Sequence, residues 1–141
     1  MVLTIDKANE LLDALAEQLP PALFDGLNGG VNLLEETLPD PEFPDQDLYI
    51  LGEFCEDMLG RYINLYYGSF AALARQEDWS REDWERELRT TLSHELTHHM
   101  ESRSGTDDLD RRDAAELEEY RARRDGEKPP RRPPFWRRGR S

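Results

Sequence analysis

Two histidines four residues apart, with a glutamate directly after the first, are the groups in this chain best suited to chemistry: His94-Glu95-Leu96-Thr97-His98. Residues four apart share one face of a helix, so both imidazoles can turn toward a single ion at about 2.0 Å per zinc–nitrogen bond. Glu95 projects about 100° around the helix from His94, beside the ion without ligating it, where it can take a proton as general base. Zinc lowers the pKa of its water to about 7 and polarises a carbonyl, so peptide-bond hydrolysis is the expected reaction. The spacing thus predicts a zinc metallopeptidase in which His94 and His98 hold Zn2+ and Glu95 is the catalytic residue.

A catalytic zinc also needs a third protein ligand and one open position. Glu101 follows His94 by seven residues and returns to the same helix face. Asp108 stands three residues past Gly105, where a chain leaving the helix could turn back to the metal. A ligand arriving from a turn completes a tetrahedron more easily than a third residue on one straight helix, which ranks Asp108 first and Glu101 as its alternative. Asp113 is a further candidate, although a helix N-cap accounts for it. His99 points about 100° away from His98 toward the apolar side, which makes it a packed or outer partner and not a ligand.

The element that positions these groups is an amphipathic helix. Trp84, Leu88, Leu92, Leu96 and Met100 recur at intervals of four, Ser80 and Asp83 occupy capping-box positions at its head, and Gly105 is its expected stop. Thr4 can cap a first helix carrying Ile5, Ala8, Leu12, Leu15 and Leu19, ended by Pro20-Pro21, with a short turn of helix over 22–27. Residues 31–34, 48–51 and 61–67 read as strands, 38–45 as a proline-rich loop, and 69–75 as a short helix capped by Ser69. Asp113 can open a last helix through Arg123. The fold class that follows is α+β: a small sheet of about three strands packed with the active-site helix and flanking helices.

Charge divides the chain of 141 residues into an expected domain, 1–126, and an expected disordered Pro/Arg-rich tail, 127–141. The net charge of -13 resolves into +5 for the tail and -18 for the rest. An acidic body is repelled by phosphate backbones, which argues against nucleic acid as a partner of the folded part. The tail offers a basic PxxP, Pro130-Arg131-Arg132-Pro133, followed by Phe135-Trp136, suited to an anionic or groove-bearing partner. One cysteine, Cys55, excludes an intrachain disulfide and suits a reducing compartment. With neither a secretory leader nor an apolar run of about 20 residues, a cytoplasmic protein without membrane contact is expected.

From about Leu12 to Arg124 the chain resembles the small bacterial zincin-like metallopeptidases. The resemblance rests on His94-Glu95-Leu96-Thr97-His98-His99, on Leu48-Tyr49-Ile50-Leu51-Gly52-Glu53, and on the segment from Leu59 to Phe70. Many members extend the motif as HExxHxxGxxD with the aspartate as third ligand. Here Glu101 and Ser104 occupy those glycine and aspartate positions, and Gly105-Thr106-Asp107-Asp108 restores GxxD four residues later. The resemblance implies a minimal zincin fold with a peptide or protein substrate lying along an edge strand above the metal, an edge that 61–67 could supply. Tyr62, Tyr66 and Tyr67 could each donate to an oxyanion or simply pack. The competing reading is a non-catalytic, zinc-stabilised protein-binding module.

Overall fold

Capping and burial fix the helices much as the sequence predicts. The computed structural model describes residues 1–41, 48–108 and 135–138, with side chains described through 105. Helix α1 (Ile5–Glu17) begins where Thr4 Oγ1 accepts the Lys7 amide at 3.2 Å, and it buries Ala8, Leu11, Leu12 and Leu15. A 3-10 turn (Pro21–Phe24) leads to strand β1 (Val31–Leu34). Two residues of the expected loop form β2 (Leu38–Pro39). Then come β3 (Leu48–Asp57), β4 (Gly60–Tyr66), α2 (Tyr67–Glu77) and α3 (Arg81–Asp108). The reciprocal cap at the head of α3 forms: Ser80 N donates to Asp83 Oδ2 at 2.9 Å and Asp83 N to Ser80 Oγ at 3.2 Å. Ser69 does not cap α2; it is buried, and its hydroxyl accepts the Leu38 amide at 2.9 Å.

The strands form one mixed sheet, which with the three helices makes an α+β domain. β1 pairs in parallel with β4, β4 antiparallel with β3, and β3 antiparallel with β2. The strand expected at the edge is therefore interior, because β4 is flanked by β1 and β3. A tight turn joins β3 to β4: the Leu59 amide donates to Asp57 Oδ1 at 2.8 Å, and Gly60 adopts φ +115°, where a side chain is strained.

Part of the expected disordered tail is a strand, β5 (Phe135–Arg138), antiparallel to β3. Tyr49 and Ile50 pair with both β2 and β5, and Gly52 pairs with both β4 and β5. A strand has two edges, so β5 takes the edge of β3 opposite to β2 and β4. Four extended residues with no alternation of their own gave no strand signal; the partner strand supplies the order. The expected helix from Asp113 to Arg123 and the remainder of the tail lie outside the described residues.

Helix α3 lies along β3. Gly52 makes this approach possible, since a Cβ there would stand 2.7 Å from Leu65 Cδ2 and 3.0 Å from Thr91 Cγ2. Trp84, Leu88, Leu92 and Leu96 join the core. Met100 does not and is 45% exposed. A step of four residues drifts about 40° around a helix, so the stripe that starts at Trp84 has turned to solvent by Met100. Within the core-facing arc sit polar residues instead: Thr91, Glu95, His99 and Ser102 are all buried.

Candidate metal centre

The two motif histidines converge. His94 Nε2 and His98 Nε2 are 3.3 Å apart, with the rings nearly perpendicular at 87°. Tetrahedral zinc with bonds of about 2.0–2.1 Å holds two ligand nitrogens about 3.3–3.4 Å apart, so the pair already has the spacing of one edge of that tetrahedron. Glu95 completes a cluster whose ligand atoms all lie within 4.8 Å of one another, and it alone of the three is fully buried. Its position is central on the face of α3 that meets the sheet, while the histidines stand on the flank.

Two cations cannot share 3.3 Å cheaply. His94 is held below the ordinary imidazole value, first by desolvation of its ring and then by His98, against the opposing pull of Glu101. His98 Nδ1 is buried, and a carboxylate oxygen, Glu101 Oε2, stands 3.6 Å from it. A proton on Nδ1 leaves Nε2 as a lone pair facing His94, which is the form a metal requires. Glu101 is thus behind His98, on the opposite nitrogen from the one that faces His94, and not in the cluster.

The helix does not stop at Gly105. It runs through to Asp108, whose backbone is ten residues beyond His98, about 15 Å along the axis. The turn that was expected to carry Asp108 back toward the histidines is replaced by continuing helix, because a lone glycine weakens a helix without breaking it. The side chain of Asp108 and all of Asp113 lie outside the described residues.

His99 behaves as a packed residue. Its Nε2–H donates to the Asp25 carbonyl at 2.8 Å, and its ring meets Phe54 at 5.7 Å. Arg103 NH1 donates to the same carbonyl at 2.8 Å, so α3 is tied on this flank to the segment after the 3-10 turn. Burial pushes His99 below its ordinary value, aided by Arg61 and Arg103 and opposed by the Asp25 carbonyl and Glu56. One turn on, Ser102 Oγ donates to Glu56 Oε2 at 2.6 Å, a second tie between α3 and β3 that only the recurrence of small polar residues on the inner arc could have suggested.

The three tyrosines are committed elsewhere. Tyr62 donates to Asp57 Oδ2 at 2.8 Å, and that bond, with burial, pushes its hydroxyl up to about 12. Tyr66 donates to Glu53 Oε1 at 2.7 Å, and Tyr67 to the Leu3 carbonyl. Packing, the second of the roles considered for them, is what the structure gives them.

No family model matches the sequence, and no curated protein does. Among solved structures, the chain is similar to a conserved hypothetical protein from Thermo thermophilus, with 35% identity and a TM-score of 0.62, over 73% of this chain and 99% of that one.

Proposed function

The chain belongs to the same family as that thermophile protein; from its own motif and geometry, we propose that it is a zinc-dependent metallopeptidase of the zincin type. The observation that carries the reading is the 3.3 Å approach of two imidazole nitrogens beside a buried carboxylate. His94 and His98 would hold the ion, with Glu101 at Nδ1 of His98 outside the cluster and the backbone of Asp108 carried away along α3, so a further ligand has to come from elsewhere. Zinc held there would acidify a water and polarise the scissile carbonyl. Glu95, shielded from bulk solvent, takes the proton as general base and returns it to the leaving amine. Glu101 positions His98 through Nδ1. Helix α3 fixes all of these groups on one rigid element, whose register against β3 is set at Gly52 and Glu56.

The burial of Glu95 favours a second reading. If Glu95 ligates alongside the histidines and an acid from elsewhere fills the fourth place, the site is closed and stabilises a protein-binding module. Full-length protein purified without a histidine tag decides between them. The peptidase reading expects about one zinc per chain, nitrogen and oxygen ligands with one position open by X-ray absorption, and hydrolysis of an unfolded protein that a chelator stops and zinc restores. A closed, four-ligand site with no hydrolysis supports the module, and protein without bound metal overturns both. Among the described residues no helix is long and apolar enough to cross a membrane.

A further inference from the structure

The histidine pair overhangs the edge of β3 that β5 occupies. Ser102 and Thr91 face β3 through Glu56 and Gly52. Counting around α3 from Ser102, His99 and Arg103 lie about 60° and 100° to one side, where they meet Asp25 in the segment leading to β1. That side is the side of β4, since the Gly29 amide donates to the Arg61 carbonyl and the Ile63 amide to the Gly30 carbonyl. His98 and His94 lie about 40° and 80° the other way, beyond β3 on the edge that β4 does not use. Helix and strand run in the same direction, with Gly52 level with Thr91 and Glu56 level with Ser102. The pair is therefore level with the stretch between Gly52 and Glu56.

On that edge β5 pairs from Leu48 to Gly52 and stops. Among the described residues no strand pairs with 53–57 on the same edge. The chain's own Phe135-Trp136-Arg137-Arg138 is thus an extended segment added antiparallel to β3, ending where the stretch beside the histidines begins. Net charge favours a segment of this composition there. Residues 127–141 carry +5 and the rest -18. Main-chain pairing supplies adhesion to any extended peptide, and the net negative charge of the rest of the chain favours a basic one.

We propose that this edge of β3 is an acceptor for extended peptide segments of aromatic and basic residues, and that Phe135–Arg138 is its built-in occupant, competing with any such segment from outside. As a statement about substrate class it rests on the metallopeptidase reading; as a statement about binding it does not. An intramolecular strand at high effective concentration lowers the apparent affinity for an external peptide by the fraction of time the edge is free. Substrates rich in arginine and aromatics would then be cut faster once the tail is displaced.

The test uses the full chain and a full-length Trp136→Pro/Arg137→Pro variant. Adjacent residues of an antiparallel strand alternate in bonding inward, so one of the two prolines removes a bond to β3 whichever way β5 alternates. A fluorescent peptide with the sequence of residues 133–140 should bind the variant about tenfold more tightly than the wild type. A counterpart with glutamate at each arginine should bind neither. Equal binding of the basic peptide to both proteins, or equal binding of the acidic counterpart, overturns the proposal. If the proline variant fails to fold, full-length Arg137→Glu/Arg138→Glu serves the same comparison with the same outcomes. Metal content is measured on every sample: a chain without zinc that still binds the basic peptide sinks the peptidase reading and leaves the acceptor edge standing.

Discussion

His98 and His99 are neighbours in sequence and opposite in circumstance. His99 turns inward, is fully buried, and anchors its Nε2–H on a carbonyl that Arg103 also holds. His98 turns outward by about one residue's rotation, and its Nε2 meets the Nε2 of His94 at 3.3 Å. A histidine whose donor is satisfied by backbone is a fastening; two whose ring nitrogens meet at the spacing of a tetrahedral edge are placed to share an ion. The helix thus has a tied flank and a working flank, and the difference can be broken by mutation on either side.

On the working flank, His98→Ala should have the largest effect. Bound metal should fall from about one per chain to almost none and hydrolysis with it, while the metal-free protein melts at nearly the same temperature as metal-free wild type. Metal analysis with parallel calorimetry reads both; a large drop in the melting temperature of the metal-free variant would mean the flank is not a working one. Glu95→Gln comes next. It keeps shape and hydrogen bonding but cannot take a proton, so kcat should fall about 10²–10⁴-fold with metal content unchanged. Undiminished hydrolysis would remove Glu95 as the base, and loss of metal would make it a ligand.

On the tied flank, His99→Ala should invert this pattern. Metal binding should survive in the folded fraction, while stability drops by about 2–4 kcal/mol through a cavity against Phe54 and a lost hydrogen bond. Urea denaturation of chelated protein measures it. A stability change near zero together with lost metal would mean that His99, not its neighbour, belongs to the site.

How far the two flanks were legible beforehand follows from what each depends on. His94, Glu95 and His98 could be read because their spacing is local: a helix imposes it without tertiary help. The capping pair Ser80 and Asp83 and the burial of His99 were legible for the same reason. The central burial of Glu95 was obscured by an apolar stripe traced at steps of four, which drifts off the true inner arc. The interior place of β4 and the strand at Phe135–Arg138 depend on partners distant in sequence, on β1 and β3, and no local pattern carries that information. Gly105 misled because a glycine stops a helix only where the chain has a better use for its conformational freedom.

At the outer border of the working flank stands Glu101, exposed and 3.6 Å from His98 Nδ1. Glu101→Gln should weaken metal binding about tenfold by loosening the tautomer and orientation of His98, with the stability of the metal-free protein unaltered. Titration against a chelating indicator measures this. A loss comparable to that of His98→Ala would promote Glu101 from a support to the third ligand.

The smallest expected effect is a pH dependence carried by the tied flank. His99 binds its proton less readily when folded than when unfolded, because burial and the two arginines oppose the charge. Its contribution to stability is therefore fully present above the unfolded value near 6.5 and is lost as pH falls through that value toward the depressed folded one. Denaturation of chelated protein at pH 7.5 and 5.5, values about one unit either side of that midpoint, should show the wild type losing stability on acidification by more than His99→Asn does. The carboxylates common to both proteins cancel in that difference. His94, although also depressed, is exposed and should leave the slope almost unchanged when replaced by asparagine. An acid slope that follows His94 and not His99 would reverse the assignment of which flank holds the fold together.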